Sequence, residues 1–141
     1  LGRLGVATEC VYQPPRLLEA WLRKPGIVPC ICALLARRAT AVACGGFDES
    51  IQDMYEDQVF LAKMVLAGPV RVEPGCGERY RQHAGSTSAR AIEDQRYHPT
   101  RPNESRRAFL QWLADYLARH PAGSEVRLQH ALHAAQRPYR A

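Results

Sequence analysis

The stretch Gly45-Gly46-Phe47-Asp48-Glu49-Ser50, continued by Asp53-Met54-Tyr55-Glu56-Asp57-Gln58-Val59-Phe60-Leu61-Ala62-Lys63-Met64-Val65-Leu66-Ala67-Gly68-Pro69, decides how this chain is read. Two adjacent glycines supply a stop and a turn, and residues 47–50 form a loop. Acids then cluster where a helix begins (Asp53, Glu56, Asp57), which suits the positive end of its dipole. Phe60, Leu61, Met64 and Val65 recur at helical spacing, so a helix is predicted over Asp53–Ala67, ended by Gly68-Pro69. The glycine turn thus delivers two neighbouring carboxylates, Glu56 and Asp57, to a helix N-terminus. A carboxylate held there can accept a proton from a bound hydroxyl, and repulsion within the pair raises the pKa of one member. On local chemistry alone, plain helix capping explains an acid-rich first turn more economically.

Outward from this helix, the pattern predicts a mixed α/β order. The first dozen residues read as strand or loop. Pro14-Pro15 opens a helix carrying Leu17, Leu18, Trp21 and Leu22, and Pro25-Gly26 ends it. Ile27 to Leu35 reads as a buried strand with Cys30 and Cys32 on one face. Arg37 to Cys44 reads as a short helix. Val70 to Glu73 and Glu78 to Gln82 are predicted strands around the turn Pro74-Gly75-Cys76-Gly77, and His83 to Asn103 is predicted loop. Asn103 caps a helix over 104–119 with Phe109, Leu110, Leu113, Tyr116 and Leu117 inward. After Pro121-Ala122-Gly123, Ser124 is expected to cap a last helix to Ala135, with Leu128, Ala131, Leu132 and Ala135 inward. No internal repeat is visible.

Composition narrows the class. A chain of 141 residues, 46% hydrophobic and 23% charged, can bury a core without staples, which excludes wholesale disorder and disulfide-rich mini-scaffolds. The longest apolar run, Ile27 to Ala36, is broken by Pro29 and is far short of the ~20 residues of a bilayer span. Five cysteines, an odd count, favour a reducing compartment and buried thiols. There is no signal peptide, and a first residue Leu1 in place of Met suggests an excised piece whose upstream chain has been removed. The net charge of +5 is uneven: residues 97–141 hold seven Arg against three acids. That stretch could meet phosphate-bearing partners, although a solvated helical face is the commoner meaning of such charge.

The usual nucleotide devices are missing, with no Gly-x-Gly-x-x-Gly, no Walker-type loop and no Asp-x-Asp. Cys30-x-Cys32 lacks zinc-knuckle spacing, and His130 and His133, at i, i+3, have no evident third ligand, so they read as surface residues. Four segments, however, follow one another in a familiar order. They are Pro29 to Arg38, a strand with trailing arginines; Gly45-Gly46-Phe47-Asp48-Glu49; Tyr55-Glu56-Asp57-Gln58; and Arg79-Tyr80-Arg81-Gln82-His83-Ala84-Gly85-Ser86-Thr87-Ser88. From Val28 to Ser88 the chain resembles the C-terminal half of a family 2 glycosyltransferase of the GT-A fold. Residues 97–141 lie outside the resemblance.

The resemblance implies an α/β fold, a partial GT-A-like mixed sheet with flanking helices and a C-terminal helical tail, divided into an acceptor-side portion (1–96) and a helical extension (97–141). It implies an inverting sugar transfer from a nucleotide-sugar to a hydroxyl acceptor such as a bacterial cell-surface glycan, in the cytoplasm or at the inner face of the membrane. Asp57 aligns with the catalytic base and Glu56 would orient acceptor or base. Tyr55 and Asp48 would belong to the substrate site. Arg79 and Arg81, flanking Tyr80 on a strand, would pair with phosphate or with Glu56. His83 falls where relatives place a residue near the diphosphate or its divalent metal (Mn²⁺ or Mg²⁺), though a strand-end histidine with local partners fits equally. The nucleotide-binding half is not within these residues. The expectation is therefore that the chain alone binds no metal firmly, transfers no sugar, and self-associates through surface left open, with no specific nucleic acid partner. The alternative is a non-catalytic module whose Arg-rich tail docks a partner protein or an anionic surface.

Overall fold

The apolar repeat around residue 60 builds the central helix of the molecule. A computed structural model describes residues 5–24, 28–52, 54–75, 77 and 79–140. Six helices and one small sheet occur among them: β1 (Cys10–Tyr12), α1 (Arg16–Arg23), α2 (Arg38–Ala43), α3 (Glu56–Ala67), β2 (Val70–Val72), α4 (Thr87–Glu93), α5 (Glu104–Leu117) and α6 (Val126–Gln136), with 3₁₀ turns at Ile31–Ala33, Pro121–Ser124 and Arg137–Tyr139. The architecture is mixed α/β and mostly helical. No helix among the described residues is long and apolar enough to cross a membrane.

The sheet differs from the expected mixed sheet. Among the described residues it is a two-stranded antiparallel ribbon in which Cys10 pairs with Val72 and Tyr12 with Val70. The predicted strand over 27–35 is, from residue 28 on, irregular chain around a 3₁₀ turn. Pro29 has no N–H to give a ladder. The Ala33 and Leu34 amides turn back onto the Cys30 and Ile31 carbonyls (2.9 and 3.2 Å), so they are not offered to a neighbouring strand. Nor is the segment buried: Leu35 is 99% exposed, Cys32 is exposed and Cys30 only half-buried. The expectation of buried thiols fails at Cys10 as well, which is exposed, while Cys76 lies outside the described residues. Residues 79–82 form no strand either, and 87–93, expected as loop, hold α4, whose first turn is capped where Ser86 Oγ accepts the Ala89 N–H (3.2 Å).

The core is built by α1, α3, α5 and α6. Leu61, Leu110, Leu113, Leu117, Leu128 and Val59 are its largest fully buried side chains. The amphipathic α1 sets Leu17, Leu18, Trp21 and Leu22 against α6 and α3. The stripes predicted for α5 and α6 are the buried ones, with Tyr116 and Ala135 half-buried at their margins. α3 departs from a stripe: every residue from Val59 to Leu66 is buried, Lys63 included, so the helix is surrounded rather than half-covered. As α6 packs on α1 and α5, residues 97–140 share this core with the rest of the described chain. Asn103 caps α5 as expected, its Oδ1 accepting the Arg106 N–H (2.9 Å). The expected Ser124 cap is displaced one residue to Glu125, because 121–124 close into a 3₁₀ turn in which Ser124 Oγ donates to the Pro121 carbonyl.

Candidate functional site

α3 begins at Glu56 rather than at Asp53, which lies outside the described residues. The reason is Tyr55, whose φ of +74° is left-handed and breaks the helix on its N-terminal side. A residue with a Cβ holds this conformation at a cost of order 1–3 kcal/mol, so surrounding contacts must impose it. They are visible: the Tyr55 ring is buried, stacked on Phe109 (centroids 5.4 Å apart) and edge-on to Tyr97 (5.9 Å). Tyr55 therefore acts as the peg that sets where the two following carboxylates start.

Glu56 and Asp57 are both half-buried. Asp57 Oδ1 accepts the Gln58 backbone N–H (2.7 Å), one of the donors a helix start leaves over. No ion pair among the described residues includes Asp57 or Glu56, and Glu56 Oε2 is buried with no hydrogen-bond partner. Burial first, and the neighbouring Glu56 charge second, hold the Asp57 carboxyl above its usual pKa. The nearby Tyr97 hydroxyl is pushed up to about 12, mainly by burial, with further contributions from Tyr55, Asp57 and Tyr80. The Glu56–Asp57 pair is thus a desolvated acidic centre with Tyr97 at its side. A small cavity lined by Trp21, Val28, Gln58, Arg106 and Phe109, among others, lies against Gln58.

The glycine turn is attached to the same aromatic core from the other side. Gly45 and Gly46 have φ of +81° and +58°, conformations glycine adopts without the Cβ penalty. Phe47 stacks on Phe60 of α3 (4.4 Å, 13° between planes). Asp48 is fully engaged: Oδ1 accepts the Ser50 N–H (3.0 Å) and Ser50 Oγ (2.6 Å), and Oδ2 accepts Trp112 Nε1 of α5 (2.9 Å). The Ser50 bonds foremost, with Trp112 and the Lys63 charge assisting, hold its carboxyl below the usual range. Buried Lys63 reaches from α3 toward the Gly45 carbonyl (3.5 Å). Asp48 thus acts on the loop itself, as a tie to α5.

The structure brings Tyr55, Glu56, Asp57 and Asp48 into one region, linked through the row Tyr55–Phe109–Trp112. It leaves Arg79, Arg81 and His83 exposed on irregular chain, so the expectation that a strand aims the two arginines the same way is not met. No ion pair among the described residues joins either arginine to Glu56. His83 accepts the Ser86 N–H through its carbonyl (3.0 Å). No group of three or more His, Cys, Asp or Glu among the described residues is arranged to hold a metal. His130 and His133 are exposed, as expected.

Sequence reading missed Tyr97, Arg106 and Trp112. Tyr97 falls in the predicted loop, where no periodicity marks it. Trp112 lies beside the α5 stripe, and its signal was chemical: a half-buried indole N–H needs an acceptor. No known protein family, curated protein or solved structure matches the chain.

Proposed function

We propose that this chain supplies the acceptor-side, base-bearing part of an inverting glycosyltransferase that uses a nucleotide-sugar donor. The observation that carries the reading is the state of Asp57: a carboxylate at a helix start, outside any ion pair among the described residues, with its proton affinity raised by burial and by Glu56. Such a group takes the proton of an acceptor hydroxyl as its oxygen attacks the anomeric carbon, while the nucleoside diphosphate departs from the opposite face. Glu56, with an unpartnered oxygen, accepts a hydrogen bond from the acceptor and fixes its orientation. Tyr55 positions the pair and Asp48 positions the loop beside it. Arg79 and Arg81, exposed beside Tyr80, meet the donor phosphates.

The Mn²⁺ or Mg²⁺ is expected to be held by chain outside these residues, which carry no Asp-x-Asp. Stabilisation of a leaving group is a dominant catalytic term, so the 141-residue chain by itself is expected to transfer no sugar. The setting that fits is cytoplasmic, at the inner face of the membrane, with a cell-surface glycan precursor as acceptor. The test is a donor and acceptor screen on the full natural protein containing these residues, with and without Mn²⁺, beside its Asp57→Asn variant. The variant should fold normally and lose most turnover; near-normal turnover removes Asp57 as the base. The same reading expects the isolated chain to self-associate, because the ribbon has open edges and Leu35, Val42 and Phe47 are exposed. Sedimentation that stays monomeric across concentrations would count against it.

A second reading, docking on an anionic surface, draws on Arg101, Arg107, Arg119, Arg127, Arg137 and Arg140, all exposed. Binding to anionic vesicles that collapses steeply with salt would favour it.

A further inference from the structure

One stretch of the chain combines exposed cations, exposed apolar side chains and a lack of acids. From residue 20 to residue 47 the sequence holds Arg23, Lys24, Arg37 and Arg38 and no Asp or Glu, although the whole chain carries 14 acids. Acids resume only at Asp48, which is engaged by Ser50 and Trp112, and at Glu49. Within the same stretch lie Ile31, Leu35, Val42 and Phe47, four of the eight large apolar residues that are exposed among the described residues. The local fold leaves them there. α2 buries none of its side chains, and it meets α3 at its C-terminal end, where Cys44 Sγ lies 3.6 Å from Met64 Sδ and Phe47 stacks on Phe60. Arg38 and Val42 are four residues apart on α2 and so share one side of it. Leu35, just before the helix, stands almost wholly in water. Phe47 has its ring held on Phe60 and is still 55% exposed, so it is a fixed apolar projection. Arg37 and Arg38 are exposed and in no ion pair among the described residues.

We infer that residues 31–47 form a docking surface for an anionic phospholipid bilayer, entered by Leu35, Val42 and Phe47 while Arg37 and Arg38 meet the headgroup phosphates. Three arguments choose lipid. A leucine that stands bare needs a pocket shaped to it on a protein partner, whereas the boundary between headgroups and acyl chains closes around any small apolar projection. Guanidinium groups pair with phosphate through two parallel hydrogen bonds, and a stretch without acids offers nothing to repel a negatively charged leaflet. A second copy of the chain, by contrast, would bring Arg37 and Arg38 against the same cations. Where no bilayer is present, two copies can still cover the apolar residues against that repulsion, so bilayer and self-pairing compete for one face. The inference rests on this face alone. It needs neither Asp57 as a base nor the arginines of residues 97–140. Salt separates it from docking through those arginines: salt screens the Arg37 and Arg38 part of the attraction and leaves the apolar part, so binding falls but does not vanish.

The experiment is flotation of the whole chain with vesicles of phosphatidylcholine and phosphatidylglycerol, beside vesicles of phosphatidylcholine alone. Binding is expected to the anionic vesicles. Leu35→Ser, at a position in water where folding is not at stake, should weaken it by roughly tenfold, the weight of one leucine withdrawn from an apolar medium. Arg37→Gln combined with Arg38→Gln should weaken it on the order of tenfold or more and flatten its salt dependence. Leu35→Trp reads insertion directly: its emission should be quenched by bromine-labelled acyl chains, above the background that Trp21 and Trp112 give in the wild type. Asp57→Asn should bind vesicles as the wild type does, so loss of the base and loss of the docking face are told apart. No binding to anionic vesicles, wild-type binding by Leu35→Ser, or no quenching in Leu35→Trp overturns the inference. So does binding that is abolished by Arg127→Gln with Arg137→Gln and left intact by the Arg37 and Arg38 changes. Sedimentation in which Leu35→Ser turns a dimer into a monomer while vesicle binding is unchanged assigns the face to a second copy and overturns it as well.

Discussion

Replacing Trp112 by Phe tests whether Asp48 is a tie between loop and helix or a group reserved for ligand. The substitution deletes one hydrogen bond, Trp112 Nε1 to Asp48 Oδ2 at 2.9 Å, across 64 positions of sequence, and keeps an aromatic ring between Phe109 and Tyr116. Hydrogen bonds to charged groups contribute about 1.5–3 kcal/mol when fully buried. Both partners here are half-buried and water can take over Oδ2, so a loss of about 1 kcal/mol is expected, a fall in Tm of roughly 3 °C for a chain of this size. Loss of indole area adds to this, so the bond itself is isolated by a double-mutant cycle with Asp48→Ala in urea unfolding, where contacting groups couple by about 0.5 kcal/mol or more. The pH dependence has a definite sign. Asp48 has a lowered folded pKa, so its contribution is complete above the unfolded value of 3.8 and is lost as pH falls through the folded value. The gap between wild type and Trp112→Phe should therefore narrow in acid. A coupling below about 0.3 kcal/mol, or a gap unchanged by acid, refutes the tie.

The same linkage runs the other way at Asp57. Its folded pKa is raised, so its contribution is most favourable below the unfolded value of 3.8 and is lost as pH rises through the folded value. Asp57→Asn should thus unfold at no lower denaturant concentration than wild type at pH 7 and lose any advantage near pH 4, even where it abolishes turnover. Gly123→Ala should destabilise by at least about 1–3 kcal/mol in chemical unfolding, since its Cβ would lie 1.9 Å from the Leu117 carbonyl oxygen at the end of α5.

Legibility in the sequence followed the length scale of the interaction that decided each element. α1, α3, α5 and α6 repeat apolar residues over two or more turns, and that periodicity alone located them within a few residues. Asn103 was readable as a cap because capping is local. Ile27 to Leu35 misled because an apolar run implies burial only if something covers it, and Leu35 is bare to solvent. α4 was hidden by a polar composition in which Ala91 is its one buried residue. At the site, the Glu56–Asp57 pair was visible as an acid-rich first turn, and its proton affinity rests partly on their adjacency. The left-handed Tyr55 could not be seen, since it is imposed by Phe109 and Tyr97 from more than forty residues away. Nor could the engagement of Asp48 by Trp112, which only the folded chain brings within reach.

The pairing of α1 with α6 has a consequence for how this protein is made. On the ribosome, the face carrying Leu17, Leu18, Trp21 and Leu22 emerges roughly a hundred residues before the helix that shields it. At typical elongation rates of about 5–20 residues per second, that face stays open to water, and to chaperones, for on the order of ten seconds. Closure of this part of the core therefore waits for α6, and a ribosome that stalls before Val126 would release a chain whose greasy α1 face lacks the helix that covers it.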